Sequence, residues 1–158
     1  MLILIKIALL LSLAVVLIQD LKERLVYWFL FPIIAILSGI LHYYNTLPEL
    51  FYTAVALNLI FTSLLLFIVF LYAKIKLKTR FNQVFGLGDL FLFLALAFSF
   101  STVSFIVLFI SALLFSLVLH VGLNKKNKTV PLAGYLSLFF GMIYMAYWFD
   151  IIHSLYSI

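Results

Sequence analysis

The sequence contains no cysteine and few charged residues. Without cysteine, the chain cannot form disulfides, use a thiolate nucleophile or bind zinc through sulfur. Charged residues make up 9% of the chain, whereas an average soluble domain has about 25%. So few charges cannot cover the surface of a protein of this size in water. We therefore expect lipid to surround most of the chain.

The uncharged stretches are long and continuously apolar, as in 57–72. In lipid, every backbone N–H and C=O must be satisfied within the protein, which leaves α-helices or a closed barrel. Strands of a membrane barrel alternate apolar and polar residues over about ten positions. The continuous runs do not alternate in this way, so the sequence predicts an all-α, polytopic membrane protein.

The apolar stretches predict a single transmembrane domain over 1–158 with six spans. The run at 90–119 would form a helix of about 45 Å, which is too long for one crossing of a hydrocarbon core of about 30 Å. A cluster of hydroxyl residues between Ser99 and Ser104 marks the expected break. The six predicted spans are then 2–19, 25–41, 50–73, 88–101, 104–121 and 131–149.

The net charge of +5 comes from ten basic and five acidic residues. The basic residues lie in short gaps between apolar runs, which indicates membrane topology rather than a nucleic-acid partner. With six spans, nine of the ten fall on one side, and the positive-inside bias makes that side cytoplasmic. We therefore expect a multi-pass protein of the inner (plasma) membrane. The nine are Lys22, Arg24, Lys74, Lys76, Lys78, Arg80, Lys125, Lys126 and Lys128.

Two of the five acids lie at the cytoplasmic ends of predicted spans. Asp20 closes the first span and Asp89 opens the fourth, so both are expected at the same depth. A structural role is possible for each, because an Asp at a helix start caps free N–H groups and Asp20 has basic neighbours. Ionisable groups at membrane depth more often have a function.

Three short motifs lie at the ends of predicted spans: Asp20-Leu-Lys-Glu-Arg24, Gly86-Leu-Gly-Asp89 and Val130-Pro131. These motifs, together with the number, order and sidedness of the spans, resemble the pattern of the type IV prepilin peptidases. These are aspartic membrane peptidases of the GxGD type, and archaeal preflagellin peptidases belong with them. The resemblance implies that Asp20 and Asp89 are catalytic. It gives motif-supporting roles to Lys22, Arg24, Gly86, Gly88 and Pro131.

The resemblance also implies the substrate and the chemistry. The substrate would be a prepilin or pseudopilin with a short cytoplasmic leader and one apolar helix, cut from the cytoplasmic side within the lipid bilayer. Two neighbouring carboxyl groups would share a proton and act as general acid and base, with no cofactor and no metal. Long bacterial members also carry a cysteine-rich segment linked to N-methylation. This chain has no cysteine, so we expect cleavage without methyl transfer.

The chain departs from the family pattern at two places. It has Tyr27-Trp28 where the family often has Pro-Asn, and Phe91 where a Lys often follows the second Asp. These departures leave open a different substrate preference or an inactive relative. The alternative interpretation is a non-catalytic six-span membrane subunit of a secretion or pilus assembly system. The three histidines, His42, His120 and His153, are far apart in the sequence and are expected near the membrane interfaces rather than as metal ligands.

Overall fold

The computed structural model describes residues 2–77, 86–123, 130–153 and 155–156, and these residues form an all-α structure. The all-α prediction is therefore confirmed. Within the described residues there are six α-helices. They are α1 (Leu2–Lys22), α2 (Leu30–Tyr44), α3 (Pro48–Tyr72, continued by a π-helical turn at Ala73–Leu77), α4 (Leu87–Leu96), α5 (Thr102–Gly122) and α6 (Leu132–Trp148).

Three of these helices are long and apolar enough to cross a membrane. They are α1, α3 with most of its π-helical turn, and α5, with 21, 29 and 21 residues. At 1.5 Å per residue, even 21 residues extend over about 32 Å, which matches the hydrocarbon core. This indicates a multi-pass membrane protein. The helices α2, α4 and α6 are shorter, with 15, 10 and 17 residues.

The bounds of two helices differ most from the predicted spans, each at one end. The second helix begins at Leu30 rather than at 25, and the fourth ends at Leu96 rather than at 101. Residues 25–29 are almost all apolar and therefore look like part of a span, yet Arg24 adopts a left-handed conformation (φ 57°) that turns the chain away from α1. Hydropathy cannot separate such an apolar loop from the helix that follows it.

The break between α4 and α5 lies close to the predicted hydroxyl cluster, and buried side chains satisfy its carbonyl groups. Asn58 donates from Nδ2 to Ala97 O (3.0 Å) and Phe100 O (2.9 Å). His42 donates from Nδ1 to Phe98 O (3.1 Å). Both side chains are fully buried. His42 lies in the last turn of α2, so its position near a membrane interface stays a prediction, while its buried ring supplies a donor to a carbonyl group that has left the helix.

The packing of α1 against α6 positions the candidate site. This is the most extensive helix pairing in the structure, and the two helices are antiparallel. Lys6, near the start of α1, lies with its Nζ 5.1 Å from the ring centroid of Trp148, at the end of α6. The last turn of α1 therefore lies beside the first turn of α6. Helix α4 packs against both α2 and α6 and brings its first turn to the same end.

Candidate active site

Asp20 lies on the buried face of α1. The apolar residues Leu9, Leu13 and Val16 face the core at helical spacing, and Asp20 continues the same stripe in the last turn. Its side chain is 8% exposed. The carboxylate accepts a hydrogen bond at Oδ2 from the backbone N–H of Gly134, at 2.7 Å. Asp20 is therefore not a juxtamembrane charge free in solvent.

Asp89 lies in the first turn of α4, where Gly86 is the N-cap residue. Its Oδ1 accepts a hydrogen bond from the backbone N–H of Ala133, at 2.7 Å. The backbone of Gly86 also hydrogen-bonds this carboxylate. Asp89 thus caps its own helix, as expected for an acid at this position, and also reaches a second helix.

The two aspartates meet at the first turn of α6. Ala133 and Gly134 are consecutive residues, and each donates its N–H to one carboxylate. Consecutive amides of a helix lie side by side, so the two carboxyl groups also lie side by side, close enough to interact electrostatically. The structure therefore brings together, from α1 and α4, the two residues predicted to be catalytic.

Arg24 places a positive charge near both carboxyl groups. Its charge interacts with Asp20 and with Asp89. The side chain is partly buried, and its Nη1 atom has no hydrogen-bond partner within the described part of the chain. Arg24 follows α1 with a left-handed backbone (φ 57°). Arg24 is thus part of the electrostatic environment of the site.

The two motif glycines have different surroundings. A Cβ atom at Gly86 would lie 2.9 Å from Asp89 Oδ2, which is too close for a real contact. A Cβ atom at Gly88 would lie 3.7 Å from Phe31 Cζ and 3.9 Å from Val26 Cβ, at ordinary van der Waals distance. Only Gly86 is required by the position of the carboxylate. Gly88 faces the α1–α2 loop and α2, so protein rather than open space covers it.

The other residues named from the sequence lie around this centre. Pro131 is the N-cap residue of α6 and is buried, whereas Lys22 is exposed in the last turn of α1. Tyr27 and Trp28 are exposed in the α1–α2 loop, and Phe91 packs against the ring of Phe31 with centroids 5.9 Å apart. Five predicted cytoplasmic basic residues lie outside the described residues: Lys78, Arg80, Lys125, Lys126 and Lys128.

The side chains assembled at the site suit acid–base chemistry. Two adjacent carboxyl groups can hold one proton between them, so that one is a base and the other an acid. Among the described residues, no three His, Asp or Glu side chains are grouped closely enough to hold a metal ion.

The sequence motifs do not point to Ala133 or Gly134 as site residues. Both contribute backbone N–H groups, which leave no side-chain signature in the sequence. The available signal was a glycine three residues after Pro131, in the first turn of a predicted span. In a membrane helix, such a glycine permits close approach of a second helix.

Comparison of the chain with protein families, curated proteins and solved structures finds no match. The helical membrane fold and the pair of aspartates at one helix terminus are therefore the basis for assigning a function.

Proposed function

We propose that the protein is a membrane aspartic endopeptidase of the prepilin peptidase type. It cleaves the cytoplasmic leader of prepilin-like or pseudopilin substrates and does not methylate the product. Asp20 and Asp89 are its catalytic residues. The observation that carries the proposal is that two aspartates, far apart in the sequence and on different helices, lie side by side at the start of α6.

The proposed mechanism uses one ionised and one protonated carboxyl group. The ionised carboxylate takes a proton from a water molecule, and the oxygen of that water attacks the scissile carbonyl carbon. The protonated carboxyl group hydrogen-bonds the carbonyl oxygen as negative charge develops there. The tetrahedral intermediate then collapses, the C–N bond breaks and the leaving amine receives a proton from the acid. The pair again holds one proton at the end of the cycle.

The distribution of charge supports a site that faces the cytoplasm. Lys22 and Arg24 lie at the same end of α1 as Asp20. Lys74 and Lys76 lie in the π-helical turn after α3. The six-span topology puts them on the same side of the membrane as the end of α1. Positive charge favours the cytoplasmic side of a bacterial-type membrane. A peptidase with its site at that side acts on a membrane-anchored protein whose leader remains in the cytoplasm.

A second interpretation is favoured by the hydrogen bonds themselves. Asp20 and Asp89 cap the first turn of α6 from neighbouring helices, and capping is a structural role that a non-catalytic membrane subunit also uses. The two interpretations differ in their tolerance of asparagine. Asn is as good a helix cap as Asp, but it cannot donate and accept the catalytic proton.

The test is co-expression of the protein with a prepilin-like substrate that has a basic leader, a glycine at the cleavage site and one apolar helix. Cleavage is measured as a shift in electrophoretic mobility, and the new N-terminus is identified by mass spectrometry. Asp20→Asn and Asp89→Asn should each abolish cleavage while the protein remains in the membrane. Glu49→Gln, an exposed acid in the first turn of α3, is the control and should cleave normally. Full cleavage by either Asn variant would exclude the peptidase function. If the wild-type protein does not cleave the substrate but pilus assembly still depends on it, the non-catalytic subunit would be favoured.

A further inference from the structure

The first turn of α6 forms a third part of the site. We infer that Ala133 and Gly134 are positioning residues that hold the carboxyl groups of Asp89 and Asp20 in register for catalysis. This inference rests on the proposed peptidase function and extends it to residues that do not themselves react.

The hydrogen-bond pattern of this turn leaves two N–H groups for the aspartates. The first amides of a helix have no partner within the helix, and Pro131 at the N-cap has no polar side chain to supply one. Leu132 N donates to Val130 O (2.9 Å), and Tyr135 N begins the regular helical pattern by donating to Pro131 O (3.1 Å). Only the amides of Ala133 and Gly134 lie between them, and each binds one carboxylate.

Gly134 is required by space and not by backbone conformation. No glycine in the described residues has a positive φ, so another residue could adopt the backbone at 134. A Cβ atom there, however, would lie 3.2 Å from Asp20 Oδ2, 3.3 Å from Asp20 Cβ and 3.4 Å from Leu17 O. All three contacts are tighter than or at the limit of ordinary packing. The missing side chain therefore lets the last turn of α1 approach close enough for the 2.7 Å hydrogen bond.

This arrangement suits the chemistry of a pair that shares one proton. The pair then carries one negative charge, which the N-terminal end of a helix stabilises. Fixed backbone donors also hold the carboxyl groups in place before a substrate binds, so that little reorganisation is needed during the reaction. Displacement of Asp20 by a few tenths of an ångström would disturb its alignment with Asp89 and with the attacking water.

The helix offers a matched control for this position. Gly141 lies seven residues later, two turns along the same face of α6 toward α1. A Cβ atom at Gly141 would have its nearest neighbour, Leu10 Cδ2, at 4.0 Å. We expect Gly134→Ala to lower kcat about tenfold or more, with KM little changed, because small misplacements of catalytic groups are costly. Gly141→Ala should keep wild-type kcat and KM.

A change in packing alone would reduce the amount of folded protein without changing the pH dependence of the cleavage rate. The pH–rate profile of Gly134→Ala should therefore be measured beside that of Gly141→Ala. A positioning role predicts that the profile moves in the first variant and not in the second, because the hydrogen bond to Asp20 is altered only in the first.

A second measurement needs no substrate. An apolar carbodiimide modifies protonated carboxyl groups, and peptide mass spectrometry gives its rate of reaction at Asp20 and Asp89 in the membrane-embedded protein. Weakening of the backbone hydrogen bond should raise the rate at Asp20 about fivefold in Gly134→Ala, with no change in Gly141→Ala. If Gly134→Ala does not accumulate, Ala133→Pro replaces it. A proline is tolerated in the first turn of a helix, and it removes the N–H group that donates a hydrogen bond to Asp89. The rate of carbodiimide labelling at Asp89 should therefore rise.

The outcomes separate the two proposals. The positioning role would be overturned if Gly134→Ala kept the wild-type kcat, pH–rate profile and labelling rate. It would also be overturned if Ala133→Pro left the labelling of Asp89 unchanged. Either result would leave the peptidase proposal intact. Faster labelling in the glycine variant, together with a wild-type protein that cleaves no prepilin-like substrate, would support the positioning role and reject the peptidase.

Discussion

The residues of the Gly86-Leu-Gly-Asp89 motif contribute to the site in unequal ways. Gly86 lies against the Asp89 carboxylate, since a Cβ atom there would be 2.9 Å from Oδ2. Gly88 faces Phe31 and Val26 with room for a methyl group. A motif defined by two glycines and an acid thus contains one glycine that shapes the site and one that packs against a neighbouring segment.

Alanine substitutions should separate these roles. We expect Gly86→Ala to lower the initial cleavage rate about tenfold or more, because Asp89 must move away from its place beside Ala133. Gly88→Ala should stay within about twofold of wild type, because the new methyl group makes only ordinary contacts. The measurement is the initial rate of leader removal at equal amounts of membrane-inserted protein. Equal losses in both variants would contradict this difference.

At the level of single residues, the sequence pointed to the two aspartates that the structure brings together, but not to the backbone N–H groups that bind them. Asp20 and Asp89 are conspicuous because only five acids occur in the chain and these two lie at the cytoplasmic ends of predicted spans. Ala133 and Gly134 act through N–H groups, which nearly every residue type possesses. Their role depends on where α6 begins relative to α1 and α4, and that is a property of tertiary packing.

At the level of helices, the broken segment between α4 and α5 shows how polar side chains inside a membrane protein support its architecture. Residues 97–100 leave the helix, and the carbonyl groups of Ala97, Phe98 and Phe100 accept hydrogen bonds from side chains instead. Asn58 from the middle of α3 and His42 from the last turn of α2 supply the donors. The length of the apolar run at 90–119 predicted that a break occurs, and the hydroxyl cluster at Ser99–Ser104 marked its expected place. Which helices provide the donors could not be predicted, because that depends on the arrangement of α2 and α3 around the break.

Removal of the Asn58 amide should destabilise this region. In Asn58→Leu, the carbonyl oxygens of Ala97 and Phe100 would lose their donor at a depth where no water replaces it. Each buried unsatisfied group costs about 1–3 kcal/mol, so we expect a lower midpoint of thermal unfolding in detergent. Thr53→Val on the same helix, which removes an exposed bond to Glu49 O, is the control and should change the midpoint little. A midpoint for Asn58→Leu equal to that of the control would show that these bonds do not stabilise the break.

At the level of the whole molecule, the arrangement of the helices determines at which end of the bundle the candidate site lies. The antiparallel packing of α1 and α6 places Asp20 and the start of α6 at one end of the bundle, and Lys6 and Trp148 at the other. Continuous apolar runs and sparse charge were enough to predict an all-α membrane protein. They predicted a short fourth span at 88–101, but α4 is shorter still and at ten residues extends over about 15 Å. The C-terminal end of α4 is buried at Ala95, Leu96 and Ala97, and hydropathy alone does not show this burial.

Sidedness can be measured directly because the chain has no cysteine of its own. Glu23, Leu47 and Ile151 are exposed and lie in or beside loops at the two ends of the bundle. In the six-span topology, Leu47→Cys and Ile151→Cys should react with a membrane-impermeant maleimide on intact cells. Glu23→Cys should react only after permeabilisation. Reaction of Glu23→Cys from outside would place both aspartates on the outer side, where a cytoplasmic leader cannot reach them. Protection of Ile151→Cys alone would contradict the packing of α1 against α6, which places Ile151 and Asp20 at opposite ends of the bundle.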